Sequence, residues 1–453
     1  MNKNILKTNL ALILTLSISV LALSFSQRVL ADENILKELV EAAQKNDDQL
    51  LIAKAQFDAA KGQAAQALAP VLPQIRASAQ QSQNAYPNGE QPDATTTTSR
   101  VEFSQTLYEP AKYRAYSAAK ARAEQFGYRY GAAQSSLFTR LLGQYLDILT
   151  EEDNLRTVRA QRDRLNEQLK VVRARVSSGT RSAVDLAEIT ASAALSESQY
   201  ELSRITLRSF YEGLSASINF EIKNLPPIRK NLKLQALEND DPAYWLEIAL
   251  ENNLALLAAK AEVKAAKEDV KISNRGHIPT FDLFATYSKT ETSAESAFTP
   301  TESTVVGVRF NVPIYVGGQV FSGVKVAKAR LDEAQRRLHL TEVELRTVLP
   351  SVVRRIKQGE HFIDASKGAL DARAAVVAQT EVRYSIGAAD ITDLLLSYER
   401  LYDSERSYYS SLYSHIKNYA DFYVRTGGLD EDVLNRLYSI GDFENFDPNT
   451  PVY

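Results

Sequence analysis

The stretch FSQTLY at Phe103–Tyr108 has a counterpart, FNVPIY at Phe310–Tyr315, which lies 207 residues further along a chain of 453 residues. Towards the N-terminus, NDDQLLIAKA at Asn46–Ala55 is matched by NNLALLAAKA at Asn252–Ala261, 206 residues later. Matches that keep their order and spacing along a chain indicate an internal duplication. The sequence therefore predicts two structural repeats with the same order of elements.

Each repeat, residues 32–230 and residues 231–428, is predicted to contain a helix, two strands, a very long helix and one further helix. Strands are predicted where apolar and polar residues alternate, most clearly in VGVRF at Val306–Phe310. Very long helices are predicted over residues 112–176 and, at the equivalent place in the second repeat, 319–384. Apolar residues recur at steps of three and four in Leu155–Val176 and again in Ile391–Phe422, which is the spacing of coiled coils. The predicted fold class is α+β.

Both ends of the chain differ from the repeats. Residues 1–31 predict a secretory signal peptide, because Lys3 and Lys7 precede an uncharged apolar stretch at Leu10–Leu23. A membrane anchor is the alternative, but the apolar stretch is short for a bilayer. Residues 429–453 are rich in acidic side chains, and we expect a short helix within a solvated C-terminal tail.

The composition argues against several classes of protein. The chain has no cysteine, which excludes disulfides, thiol catalysis and cysteine-based zinc sites. Its formal charge of −3 gives no reason to expect a nucleic-acid partner. No nucleophile motif, phosphate-binding loop or close pair of histidines is present. We therefore expect no catalytic residue, no cofactor and no metal site, and a protein that is not an enzyme.

The predicted strands have the length of membrane strands. About ten residues suffice for a tilted strand to cross a bilayer, whereas no apolar run after the signal peptide approaches the ~18 residues of a membrane helix. Four strands are too few for a barrel, since the smallest bacterial barrels have about eight. The chain is therefore expected to share a barrel with other copies. Aromatic residues near the strand ends would form interfacial girdles, with core packing as the alternative: Phe103, Tyr108, Phe281, Tyr287, Phe310 and Tyr315.

The duplicated order of elements, and the FSQTLY stretch with its counterpart FNVPIY, resemble those of the TolC-type outer-membrane factors. The resemblance covers nearly all of the mature chain. The resemblance implies a homotrimer whose twelve strands, four per chain, form a transmembrane β-barrel among outer-membrane lipid. It also implies a long periplasmic α-helical coiled-coil barrel, and a C-terminal tail that packs around the tube. The implied function is a passive exit channel for tripartite efflux or type I protein secretion, opened by a periplasmic adaptor and an inner-membrane transporter. The alternative is a periplasmic coiled-coil scaffold without a membrane barrel.

Two glycine turns, at Gly179 and Gly387, end the long helices and are expected to contact the adaptor. Beyond each turn the residues SAVD at Ser182–Asp185 and DITD at Asp390–Asp393 have capping-box spacing. Helix capping is one role for these acids, and it does not exclude a second.

The resemblance implies that the second role is a periplasmic gate. In the family, the aspartate at the position of Asp393 lines the closed aperture, and a tyrosine and an arginine bind the first-repeat aspartate. Asp185 and Tyr384 match that pattern, and Asp390 is expected to replace the second pore acid, which this chain lacks. The chain departs from the family at Leu396, where a second pore acid is missing, and at Ala389, where the arginine is missing.

Overall fold

The computed structural model describes residues 35–85, 94–228, 237–292, 301–429, 431–438 and 440. The predicted signal peptide and most of the acidic tail lie outside these residues.

The described residues form two repeats with one order of elements. The first contains α1 (Ile35–Asn46), α2 (Asp48–Leu68), β1 (Gln74–Asn84), β2 (Ala94–Tyr108), α3 (Pro110–Ser177) and α4 (Ala183–Ile218). The second contains α5 (Pro242–Asn252), α6 (Leu254–Ser273), β3 (Thr280–Thr292), β4 (Thr301–Asn311), α7 (Gln319–Ser385) and α8 (Ile391–Thr426). A short helix, α9 (Glu431–Tyr438), follows.

The first helix of each repeat is broken, which the sequence prediction missed. Asp47 separates α1 from α2, and its side chain accepts a hydrogen bond from the Leu50 amide at 2.8 Å. Asn253 separates α5 from α6 and accepts from the Leu256 amide at 2.9 Å. A side-chain oxygen that satisfies a free amide in this way starts a new helix. The duplicated Asn-Asp and Asn-Asn pairs at these positions were the available signal.

The long helices agree with their prediction to within two residues at each end. α3 has 68 residues and α7 has 67, and α7 continues through Pro350. The helices that follow them, α4 and α8, have 36 residues each. From the turns to the ends of α4 and α8, equivalent residues of the two repeats are separated by a constant 208 positions.

The four strands form one antiparallel sheet in the order β1-β2-β3-β4. Thr96 and Thr98 of β2 face Thr292 and Thr290 of β3, and each pair of hydroxyls is joined at 3.4 Å. β4 ends at Asn311, two residues before Pro313, because proline has no amide to donate to a ladder. Apolar side chains of the sheet remain exposed, among them Ile75, Val306, Val308 and Phe310.

The chain divides into two compact units. One comprises residues 1–51, 134–249 and 347–453, and its described part has a core of large side chains from α3, α4 and α8. In this core Trp245 meets the edge of Phe422 at a ring distance of 4.9 Å. The other unit comprises residues 52–133 and 250–346, and it holds the sheet together with a small cluster of Val263, Ala266 and Ala334.

The described part of the acidic tail is packed rather than solvated. In α9, Val433 and Leu437 are buried, and so is Ile440. α9 lies against α1. The expectation of a solvated tail is therefore wrong for this helix, because its apolar residues lie four apart on one face that is covered.

Candidate functional site

The turns after α3 and α7 have the same backbone. Gly179 has φ 73° and Gly387 has φ 78°, a left-handed conformation that residues with a Cβ rarely adopt. The Gly179 and Gly387 amides donate to the third residue before them, at 3.0 and 3.2 Å. The Thr180 and Ala388 amides donate to the fifth residue before them, at 2.9 and 2.8 Å. This pair of bonds is the Schellman end of a helix, so both glycines are needed for the turn.

The next helix begins with a capping residue in both repeats. The Ser182 side chain accepts from the Val184 amide at 3.0 Å, and the Asp390 side chain accepts from the Asp393 amide at 2.8 Å. Capping is thus a real role of Asp390. In the first repeat Asp185, the other half of the predicted capping box, lies beside Arg181 instead.

Arg181 connects the turn of the first repeat to the last turn of α7. Its guanidinium donates to the Tyr384 carbonyl at 2.9 Å and lies over the Tyr384 ring, 4.5 Å from the centroid. The same guanidinium is 3.7 Å from the Asp185 carboxylate. The Arg181 and Asp185 side chains are both mostly buried, which strengthens their interaction relative to a pair in water. We call these three residues the clasp.

The clasp differs from the arrangement that the resemblance implies. Tyr384 and Asp185 approach one guanidinium, but among the described residues the buried Tyr384 hydroxyl has no hydrogen-bond partner. Burial raises the pKa of Tyr384, while the charges of Arg181 and Asp185 act in opposite directions. The arginine missing at Ala389 has a counterpart in Arg181, which occupies the equivalent position of the first repeat, 208 residues earlier. The internal duplication was the sequence signal that could have identified Arg181.

Asp390 caps α8 and Asp393 lies in its first turn, and both are exposed. The nearby Thr392 hydroxyl donates to the Glu188 carboxylate of α4 at 3.1 Å, so this helix start is tied to the first repeat. Behind both turns lies a core to which all four helices contribute, including Val172, Ile189, Tyr384, Leu394 and Tyr398.

A buried acidic cluster, which sequence reasoning missed, lies further along α3. Glu152 accepts a hydrogen bond from the Tyr211 hydroxyl, and Asp153 accepts one from the Tyr413 hydroxyl of α8. Arg156 also lies 2.9 Å from Asp153. Burial is the main cause that raises the pKa of Glu152 to about 7 and that also raises the pKa of Asp153. Three consecutive acids, at residues 151–153, in a long amphipathic helix were the available signal.

Comparison with known proteins identifies the family. The family model described as outer membrane efflux protein matches residues 39–219 and 245–425, one segment in each repeat and most of the chain together. The chain belongs to the outer membrane efflux protein family. It is therefore an outer-membrane exit channel, as the sequence predicted, and this is a family of transport conduits and not of enzymes. None of the described helices is both long and apolar enough to cross a membrane.

Two relatives and one solved structure match over most of their length. Outer membrane protein TolC of Vibrio cholerae is 27% identical over 412 residues, which cover 88% of this chain and 92% of that protein. The alkaline protease secretion protein AprF of Pseudomonas aeruginosa is 23% identical over 411 residues, covering 86% and 83%. The crystal structure of outer membrane protein VceC from Vibrio cholerae has the same fold, with a TM-score of 0.77, 18% identity, and coverage of 87% of this chain and 96% of that one.

Proposed function

We propose that three copies of this chain form one exit channel, with a twelve-stranded transmembrane barrel and a periplasmic barrel built from the long helices. The four-stranded sheet carries this proposal, because within the described residues β1 and β4 each pair on one side only. Open edges expose unpaired amides and carbonyls, which a bilayer does not tolerate. Pairing of β1 with β4 of the next copy removes every edge and gives a barrel of ordinary size.

The side chains of the sheet support a lipid-facing surface. Exposed fractions reach 77% for Ile75 and 69% for Val306, which is costly in water and favourable against lipid. The rings of Tyr108 and Phe281 are 6.2 Å apart and those of Phe281 and Phe310 are 4.7 Å apart, so three adjacent strands carry one aromatic row. Such a row suits the boundary between lipid and water.

The assembly is tested by fractionation and by electrophoresis. The protein is expected in the outer-membrane fraction, and the detergent-extracted form is expected to migrate as a trimer that heating converts to monomer. Recovery of a soluble periplasmic monomer would refute the trimeric barrel and would favour the scaffold alternative.

The tip turns at Gly179 and Gly387 are the proposed contact for a periplasmic adaptor, because they are the points at which the long helices reverse. Replacing both glycines with valine distorts the turns while the sheet is unchanged. Export is then expected to fall while the outer-membrane trimer persists. Normal export by the double variant would place adaptor contact elsewhere.

Asp390 and Asp393 are the proposed acid ring of the gate. Threefold symmetry would bring three copies of each exposed carboxylate around one axis, where like charges attract cations. Asp390→Asn combined with Asp393→Asn keeps a good N-cap but removes the charge. Single-channel cation selectivity and block by divalent cations are expected to fall, with thermal stability retained. Unchanged selectivity would mean that the two carboxylates do not act in the gate and that helix capping is the role that remains at this position.

The clasp of Arg181, Asp185 and Tyr384 is the proposed lock of the closed state. Arg181→Gln is expected to raise the open probability, and Asp185→Ala is expected to raise it less, because the bond from Arg181 to the Tyr384 carbonyl remains. Tyr384→Phe is the matched control, since it removes a hydroxyl that has no partner among the described residues. A strong increase in the open probability of Tyr384→Phe would mean that this hydroxyl, and not the guanidinium, keeps the gate closed.

The relatives indicate two classes of cargo. One relative is named for protease secretion and another, BepC of Brucella suis, for efflux. We propose that an inner-membrane transporter and its adaptor select the cargo and supply the energy. Cross-linking in intact cells, followed by identification of the adaptor that is recovered with the trimer, distinguishes the two pathways. Recovery of the trimer with no adaptor would contradict a tripartite system.

A further inference from the structure

One face of the four-stranded sheet is polar and carries charge. Successive side chains of a strand lie on opposite faces, so the register between strands shows which residues share a face. Among the described strand residues, five charged side chains share one face: Arg76, Arg100, Glu102, Asp282 and Arg309. The opposite face carries the exposed apolar residues, including Ile75 and Val306, that are proposed to meet lipid. In a closed barrel the charged face would therefore line the lumen.

The charges of this face, which we call the polar face, are not balanced. Three of the five are basic and two are acidic, so the polar face has one net positive charge per chain. Arg76 lies opposite Glu102 in the register and Arg309 lies opposite Asp282, yet neither couple is joined by an ion pair within the described residues. All three arginines of the polar face are exposed, so their guanidinium groups are accessible to a ligand.

Arg100 is the charge of the polar face that lies nearest the loops of the two hairpins. Its neighbours across the two ladders are Ser78 and Ser288, which carry no charge. In the next two rows toward the loops, the described side chains of this face are hydroxyls and amides: Gln80, Ser82, Thr96, Thr98, Thr290, Thr292 and Thr301. The positive potential of Arg100 therefore extends over an otherwise uncharged part of the polar face.

An aromatic ring fixes the position of Arg309. The Arg309 guanidinium lies 5.0 Å from the centroid of the Phe284 ring, which is a cation–π contact. Phe284 lies opposite Gly307 on the polar face, and a Cβ at position 307 would be 3.1 Å from two atoms of the ring. Glycine thus leaves the space in which the ring lies across β4. Arg309 contacts this ring and not the carboxylate of Asp282, so its positive charge remains without an ion-pair partner among the described residues.

We propose that the polar face is an anion-binding surface in the lumen, with Arg100 and Arg309 as its main cations. The ligands that it fits are small organic carboxylates, because a carboxylate accepts two parallel hydrogen bonds from one guanidinium. This inference rests on the proposed trimeric barrel, in which each arginine occurs three times around one lumen.

The exit channel then has two charged regions of opposite sign. The proposed acid ring of Asp390 and Asp393 attracts cations at the turn between α7 and α8, whereas the polar face of the sheet attracts anions. A carboxylate that has passed the acid ring then meets a favourable potential in the barrel. A lumen that was acidic throughout would repel it.

Single-channel recording tests the surface after the acid ring is removed. In Asp390→Asn with Asp393→Asn, a KCl gradient near about 0.1 M, where the screening length is about 10 Å, is expected to give a reversal potential that favours chloride. Adding Arg100→Gln and Arg309→Gln is expected to lower the permeability ratio of chloride to potassium about twofold. Citrate on the extracellular side is expected to block the current, and the arginine changes are expected to raise the blocking concentration about tenfold.

Two variants serve as controls. Lys289→Gln removes a positive charge from the same sheet but from the opposite face, where Lys289 lies 2.8 Å from the Glu291 carboxylate. It is expected to leave both the selectivity and the citrate block unchanged. Phe284→Leu keeps apolar bulk over Gly307 and removes the ring that Arg309 contacts. It is expected to weaken the citrate block when Arg309 is present and to have no further effect in Arg309→Gln.

The outcomes separate this inference from the proposed channel. A trimeric channel whose selectivity and citrate block do not depend on the two arginines overturns the inference and leaves the channel in place. An effect of Lys289→Gln as large as that of the arginine changes also overturns it, because the opposite face would then line the lumen. If the unmodified protein forms no trimer, both proposals fail. If the combined arginine variant does not assemble, Arg100→Gln alone decides, with the same direction and about half the change in permeability ratio.

Discussion

The helix pair of the first repeat, α3 and α4, and that of the second, α7 and α8, have the same backbone and different buried chemistry. Each turn has a left-handed glycine and the same two amide bonds, and each following helix has 36 residues. Yet Arg181 and Glu152 in the first repeat correspond to Ala389 and Glu360 in the second. Arg181 binds across the repeats and Ala389 does not, while Glu152 is buried and Glu360 is exposed.

This comparison shows that duplication copies a backbone more faithfully than it copies contacts. The glycine position is kept because only a few conformations end a helix, so the requirement is local and equal in both repeats. A buried carboxylate is kept only where a neighbour supplies a donor, as the Tyr211 hydroxyl does for Glu152. The two repeats have different neighbours, and their polar side chains differ accordingly.

The largest expected effect concerns Glu152, whose pKa burial raises from 4.5 to about 7. Between those values the folded protein binds more protons than the unfolded chain, so its stability falls as the pH rises. Glu152→Gln keeps an oxygen for Tyr211 and removes the charge. We expect it to raise the free energy of unfolding by up to about 3 kcal/mol at pH 8 and by little at pH 4.5. Thermal midpoints of the detergent-solubilised protein from pH 4.5 to 8 provide the measurement.

Glu360→Gln is the matched control in the second repeat. Glu360 is exposed, so we expect its substitution to change stability by less than about 0.5 kcal/mol at either pH. Equal effects at the two positions would show that the repeats do not differ in this respect.

The glycine turns provide the second test, in which the repeats are expected to behave alike. Gly179→Ala and Gly387→Ala are each expected to lower the free energy of unfolding by about 1–2 kcal/mol, because a Cβ is strained at positive φ. Gly368→Ala, in the interior of α7 with no atom within 4 Å of an added Cβ, is expected to raise it by about 0.5–1 kcal/mol. Thermal unfolding of the three variants measures these changes. If alanine is tolerated at only one of the two turns, the turns are not equivalent.

The third test concerns Arg181, whose substitution is expected to lower stability by a smaller amount and has no equivalent in the second repeat. Arg181→Gln removes a hydrogen bond to the Tyr384 carbonyl and a cation over its ring, and we expect a loss of about 1 kcal/mol. Arg173→Gln, the same change at an exposed position of α3, is expected to cost nothing measurable. Adding Ala389→Arg to Arg181→Gln is expected not to restore stability, because Ala389 is only 8% exposed and leaves no room for an arginine. Restoration in a thermal melt would show that the two positions are interchangeable.

The smallest expected effects lie at the helix starts. Ser182→Ala and Asp390→Ala each remove the acceptor of one amide and are expected to cost about 0.5–1 kcal/mol, while Asp390→Asn is expected to cost almost nothing. Comparison of the thermal midpoints of these three variants separates capping from charge. A loss in Asp390→Asn as large as in Asp390→Ala would mean that the carboxylate acts through its charge.

The sequence by itself determined the duplication, the order of elements, the long helices and the glycine turns, because each depends on residues that are close along the chain. Apolar spacing, glycine and capping residues act within a few positions, and the repeat doubled every signal. Only the tertiary structure decided that Arg181 reaches Tyr384, that Glu152 and Asp153 are buried against tyrosines, and that Val433 and Leu437 of the acidic tail are covered. These contacts join residues distant in sequence, and their free energy depends on which donor or apolar surface packing brings near, which no local pattern specifies.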